Sequence, residues 1–223
     1  NCRRQRQMCI RDRSYTALTP NMRGFEDAVD AKADEIAIFG SASEGFSKAN
    51  INASIAESME RFKPVVAAAR HIDMPVRAYV SCVTDCPYDG KVAPAQVAEV
   101  ASALFSMGCY EVSLGDTIGA GTPDSIAKML LAVREVVPMH RLAGHYHNTG
   151  GRALANIDAS LSLGLRTFDA AVGGLGGCPY APGAAGNVAT EAVVKHLHAL
   201  GYETGLDLDV LNQAADMARS MRG

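Results

Sequence analysis

Residues 110–137, YEVSLGDTIGAGTPDSIAKMLLAVREVV, carry one complete repeating unit of the chain. YEVSLGD (110–116) reads as a short apolar strand that ends on a glycine and an acid. TIGAGTP then turns the backbone. Thr122 is placed to cap the helix that follows over residues 122–137, which is apolar on one face. A strand, a turn with polar side chains and an amphipathic helix make one βα unit.

The same alternation runs outward in both directions. Upstream lie a strand over 14–20 with a helix over 21–33, and a strand over 34–41 with a helix over 51–72. A strand over 75–82 follows, then an excursion, VTDCPYDGKV, and a helix from Pro94, which suits a first helical position. Pro64 lies inside the second helical pattern and is expected to kink or split it. Downstream lie a strand over 142–148 with a helix over 150–164, and a strand over 167–173. A glycine-rich loop separates that strand from a helix over 189–201, and a last helix spans 206–221.

Regular alternation of this kind predicts a parallel α/β fold. The notable polar residues, Ser81, Asp116, His145, His147 and Cys178, all fall at or after strand C-terminal ends. A (β/α)8 barrel builds its site there, and a doubly wound sheet binds its ligand there too. The second fold needs a G-x-G-x-x-G turn after an early strand. Here GGLGG comes late and runs into Cys-Pro. The reading is therefore a TIM barrel reduced at its N-terminal side to about six βα units, since a whole barrel takes about 250 residues.

Composition narrows the class. The chain has 223 residues, 48% hydrophobic and 20% charged, which suits one globular domain with a full core. No apolar run approaches the roughly 20 residues of a membrane helix, so no membrane partner is expected. The net charge of −3 argues against nucleic acid. Six unevenly spaced cysteines suggest free thiols in a reducing compartment. Residues 1–13, NCRRQRQMCIRDR, hold five of the fifteen arginines. Without them the balance is 16 basic against 23 acidic residues. They read as an atypical start, foreign to the fold, ahead of a single domain over 14–223.

Three stretches carry the chemistry. GHYHNTGG puts His145 and His147 at i and i+2 on a strand, so both imidazoles face the same way and form half of a metal site. Asn187, at the far end of the glycine loop, is the candidate third ligand. Its hard amide oxygen favours Mg²⁺ or Mn²⁺ over zinc. Asp116 ends another strand and reads either as a site acid or as a partner of the following helix terminus. Cys178 sits in GGLGGCPYAPGAAGN (173–187), where glycine-rich backbone surrounds a thiol. Cys82, Cys86 and Cys109 read as loop and core thiols, and His196 and His198 as surface residues.

The stretches TPNMRGFEDAV, IAIFGSASEGFSKANIN, VRAYVSCVTDCPYDGKV, YEVSLGDTIGAGTP, GHYHNTGGRALAN and GGLGGCPYAPGAAGNVATE together resemble the 3-hydroxy-3-methylglutaryl-CoA lyase family. The likeness runs from about Tyr15 to the C-terminus, and the glycine loop is its most specific part. It implies a metal-dependent TIM-barrel lyase of the DRE-TIM metallolyase group. The reaction implied yields acetoacetate and acetyl-CoA, as in leucine breakdown and ketone-body formation.

By the same resemblance, His145, His147 and Asn187 match metal ligands. Cys178 matches the catalytic loop cysteine, and His145 also a proton carrier. Asp116, Ser113, Arg77 and Tyr79 match substrate-pocket positions. An acyl-CoA partner and a homodimer are expected, in a bacterial cytoplasm ahead of a mitochondrial matrix.

Two departures stand out. The family's first strand ends in an Arg-Asp pair and its second carries a glutamate, and neither is found here. Arg11-Asp12 lies directly before the third-strand match and reads as coincidence. The family's HCHDTYGQ is HYHNTGGR here, so Asn148 replaces an acid and Gly150 an aromatic residue. These departures leave two alternatives: an inactive remnant that at most binds metal or acyl-CoA, and a sister aldolase or synthase.

Overall fold

The computed structural model describes residues 13–177 and 186–221. Six strands form one parallel sheet: β1 Thr16–Leu18, β2 Glu35–Ser41, β3 Val76–Ser81, β6 Glu111–Asp116, β7 Leu142–Tyr146 and β8 Thr167–Asp169. A two-residue hairpin, β4 Asp85–Cys86 with β5 Gly90–Lys91, rises from the loop after β3. The sheet order is β1-β2-β3-β6-β7-β8, so every strand lies beside its predecessor in the main sheet. A doubly wound sheet reverses its order at a switch point. This one does not, and it curls as an arc of a (β/α) barrel. Among the described residues β1 and β8 are its two edges.

The connecting helices are α1 Met22–Asp30, α2 Glu44–Ile51, α3 Ile55–His71, α4 Pro94–Met107, α5 Pro123–Val133, α6 Ala153–Ser162 and α7 Thr190–Ala199, with α8 Leu208–Ser220 closing the chain. Helices α1, α2, α3, α5 and α8 start on a side-chain cap. Thr122 accepts from the Ser125 amide, and Ser54 forms a full capping box with Glu57.

The helix expected over 51–72 is α3, and ahead of it the structure adds a short helix, α2, in a stretch where the sequence predicts no element. Ser43 caps α2, and Asn52 ends it in the left-handed conformation with φ 50°. Ser54 then starts α3. Pro64 does not split α3, which runs unbroken through it. Phe62, Val65 and Val66 on either side are buried in the core, and this packing outweighs the lost amide bond.

The sheet has two unlike faces. Ile36, Ile38, Ala78, Val80, Val112 and Leu114 are fully buried and pack with Phe62 of α3, Leu104 of α4 and Ile126 of α5. The alternate residues point to the concave side, and there the strands are polar: Arg77 and Tyr79 on β3, Glu111 and Ser113 on β6, His145 on β7, Asp169 on β8. The period of two in each strand thus separates core from site.

Phe62 is wholly buried where α3 meets this core. Phe62→Ala is expected to lower the unfolding free energy by about 3–5 kcal/mol. The check is the urea midpoint, with an unchanged m-value showing that stability and not compactness has moved.

Candidate active site

A cleft of about 550 Å³ opens at the C-terminal ends of the strands, lined among others by Phe39, Tyr79, Ser81, His145, His147 and Gly177. His145 is the penultimate residue of β7, and His147 lies just beyond it. Their ring centroids are 5.4 Å apart and tilted by 47°. His147 and Asn187 form an antiparallel bridge, which brings the far end of the glycine loop against the histidine pair. The structure therefore brings together His145, His147 and Asn187 from two distant parts of the chain.

The donor set suits a cation. His147 is 7% exposed, and among the described residues its buried Nδ1 has no hydrogen-bond partner. Burial, together with neighbouring His145, pushes its imidazole down to about 4, although a contact from Asn187 works the other way. The ring is thus neutral at pH 7, which is the ligand form. An orphaned ring nitrogen, a second imidazole and an amide oxygen fit a divalent ion. Among the described residues, however, no group of three His, Cys, Asp or Glu side chains could hold a metal.

Behind His145 lies a residue that the sequence reading passed over. Asp169 ends β8 and pairs in register with His145. Its Oδ2 accepts from Ser113 Oγ at 2.6 Å and Arg77 Nη1 at 3.1 Å, and meets His145 Nδ1 at 3.3 Å. Its Oδ1 takes Arg77 Nη2 at 2.9 Å. Burial alone would raise this carboxyl, but hydrogen bonds from His145 and Arg77 outweigh burial and hold it at about 2. The one available signal was an acid inside the largely apolar strand pattern TFDAAVG.

The four pocket positions separate. Tyr79 lines the cleft, edge-on to His145 with centroids 6.0 Å apart. Arg77 is 7% exposed and does not offer its guanidinium to the cleft. Its nitrogens are taken up by Glu111 at 2.7 Å, the Tyr79 hydroxyl at 2.6 Å and Asp169. Ser113 is fully buried and donates to Asp169.

Asp116 lies on the helix-side face of β6, opposite Ser113. Its Oδ2 accepts from the Gly121 amide at 3.0 Å and its Oδ1 from Thr84 Oγ1 at 3.2 Å. There it orders the loop before α5. These three side chains support the cleft wall from behind.

Cys178 lies outside the described residues. Its predecessor Gly177 lines the cleft. The base of the loop is pinched where the Asn187 amide donates to Gly176 at 3.2 Å and the Asn148 amide to Gly186 at 3.0 Å. Gly186 has φ +75°, and a Cβ there would sit 1.8 Å from the Gly176 carbonyl oxygen. Only glycine passes there. Cys82, Cys86 and Cys109 are buried free thiols.

An HMGL-like family profile matches residues 4–218. The hydroxymethylglutaryl-CoA lyase of Pseudomonas mevalonii is 56% identical over 200 residues, which is 90% of this chain and 66% of that enzyme. The crystal structure of the HMG-CoA lyase of Brucella melitensis superposes with a TM-score of 0.93 at 60% identity, covering 99% of this chain and 79% of that one. A lyase of Acinetobacter baumannii, solved with coenzyme A and 3-methylmalate, matches at 34% identity with a TM-score of 0.89, over 94% of this chain and 68% of that one.

The chain belongs to the HMGL-like family of α/β barrel proteins. It spans about two thirds or less of the curated relatives it matches, 59% in the case of a mouse lyase. The relatives include enzymes named as cytoplasmic and as mitochondrial.

Burial pushes the Asp116 carboxyl up to about 6, despite lowering bonds from Gly121 and Thr84. An unfolded aspartate titrates near 3.9. Between those values the folded state holds a proton that the unfolded state has released. This group's contribution therefore falls as pH rises through about 4 to 6, and stays low above it. Asp116→Asn cannot ionise, so the variant is expected to gain stability relative to wild type from pH 4 to 7. A difference in urea midpoint that does not change with pH would show that the carboxyl titrates normally.

Proposed function

We propose that this chain carries the greater part of the site of a divalent-metal-dependent lyase. The reaction is cleavage of 3-hydroxy-3-methylglutaryl-CoA to acetoacetate and acetyl-CoA. The observation that carries the reading is the juxtaposition of His145, His147 and Asn187 at the mouth of a parallel barrel arc, in a cleft that also includes Gly177. Identity of 56–60% to proteins named for this activity supports the same substrate.

His145, His147 and Asn187 would hold the ion, Mg²⁺ or Mn²⁺ by the hardness of the amide oxygen. When bound, such an ion lowers the pKa of an alcohol and polarises neighbouring oxygens. The chain's own residues supply the rest. Tyr79 and Phe39 wall the cleft. His145 keeps Nδ1 toward Asp169, so Nε2 is the nitrogen left for the cleft. As the C2–C3 bond breaks, the tertiary hydroxyl gives its proton to solvent and its oxygen becomes the ketone of acetoacetate, while the electron pair stays on the acetyl-CoA carbon as an enolate. Cys178, one residue beyond Gly177, gives its thiol proton to that carbon.

A second reading rests on one observation. Among the described residues no third side chain of His, Cys, Asp or Glu completes the histidine pair. The chain by itself would then bind metal or acyl-CoA without turnover. The acyl-CoA partner, a homodimer and a bacterial cytoplasm belong to the first reading.

The test is a coupled assay for acetoacetate with Mg²⁺ or Mn²⁺, with circular dichroism on the same sample. Acetoacetate production supports the lyase reading, and a folded but inactive sample supports the second. In an active form, Cys178→Ala is expected to lower kcat by about 10²–10⁴-fold, as for loss of a general acid, with Mn²⁺ binding retained. His147→Ala is expected to abolish Mn²⁺ binding. Unchanged turnover in the cysteine variant would remove the thiol from the mechanism.

A further inference from the structure

We propose that Asp169 is the positioning residue of this site: it fixes the tautomer and ring direction of His145 so that Nε2 faces the cleft. The inference rests on the metal-lyase reading, because the direction of that nitrogen matters when His145 is a ligand.

Three observations carry it. First, among the described residues Asp169 is the group that hydrogen-bonds the His145 ring, at Nδ1 and 3.3 Å. Tyr79 touches the ring only edge-on. A ligand histidine commonly donates its second ring N–H to a carboxylate, which sets the tautomer and raises the basicity of the ligating nitrogen.

Second, Asp169 is itself immobilised. Ser113 and two guanidinium nitrogens of Arg77 hold both of its oxygens, and Glu111 fixes Arg77 from the other side at 2.7 Å. A carboxylate held in this way transmits a direction.

Third, the charges do not cancel. Glu111 and Asp169 face one arginine, so one negative charge is left over beneath two imidazoles. That surplus favours a cation at the histidine pair. His147 is unlike its neighbour, since among the described residues its Nδ1 has no partner and its side-chain hydrogen bond comes from Asn187, not from a carboxylate.

If Asp169 merely neutralised Arg77, its replacement would alter stability and leave the histidine unaffected. Nitrogen NMR of ¹⁵N-histidine-labelled, metal-free wild-type protein reads the tautomer directly and needs no variant. The expected form has Nδ1 protonated and Nε2 bare, and a proton on Nε2 overturns the proposal. Mn²⁺ titration followed by electron paramagnetic resonance gives the second readout. Asp169→Asn is expected to weaken Mn²⁺ binding by about 10–100-fold, and Ser113→Ala by less. A folded Asp169→Asn protein that binds Mn²⁺ within about twofold of wild type overturns it. If that variant does not fold, the wild-type tautomer decides.

The two readings fail separately. A wild type that binds Mn²⁺ with Nδ1 protonated but forms no acetoacetate refutes the lyase reading and upholds Asp169. Acetoacetate formation with Nε2 protonated does the reverse.

Discussion

The guanidinium of Arg77, buried on the concave face of the sheet, is the interaction from which the site is organised. A buried charge is tolerated only with partners, and the partners it finds come from three strands. Glu111 is on β6 and Asp169 on β8, while Tyr79 is two residues along its own β3. The cation therefore braces the arc across its concavity. Together with the His145 hydrogen bond it keeps Asp169 ionised, and Asp169 in turn faces His145 Nδ1. The Arg77 nitrogens are held by Glu111, Tyr79 and Asp169, and Arg77 lies one layer behind the cleft.

The loop after β8 follows a similar logic at its base. Gly176, Gly186, Asn187 and Asn148 bring the two ends of the glycine-rich stretch together by backbone hydrogen bonds. That pinch places Asn187 against His147 and Gly177 in the cleft lining. The density of glycine in this stretch has a physical reason at Gly186, where any side chain would collide with backbone.

The departures from the family pattern around the histidines have local explanations. Asn148 accepts from the amide of Ala153, the first residue of α6, at 3.2 Å, a contact that needs an acceptor oxygen and not a charge. Gly150 leaves room for the Arg152 guanidinium, since a Cβ there would lie 2.9 Å from it. Arg152 in turn binds the Gly121 and Ala120 carbonyls of the loop after β6. Tyr146 fills the core behind β7, and its hydroxyl meets Ser160 of α6 at 2.8 Å. Each change falls outside the ring atoms that face the cleft.

The fold was largely legible in the sequence, because a period of two followed by a period near 3.6 is a local property of the chain. The unit over 110–137 shows it, as does the Thr122 cap. The i, i+2 spacing of His145 and His147 determined that both rings share a face of their strand, for the same local reason. What escaped was decided by distance in the chain. The break between α2 and α3 depended on Asn52 taking a left-handed conformation, and the continuity of α3 through Pro64 on burial of its neighbours. Asp169 gained its role from pairing β7 with β8, and Asp116 lost a place in the cleft because its strand parity turns it to the helix side. Local pattern states which residues share a face. Only the parallel register of strands far apart in sequence decides which of those faces meet, and hence which carboxylate stands behind which histidine.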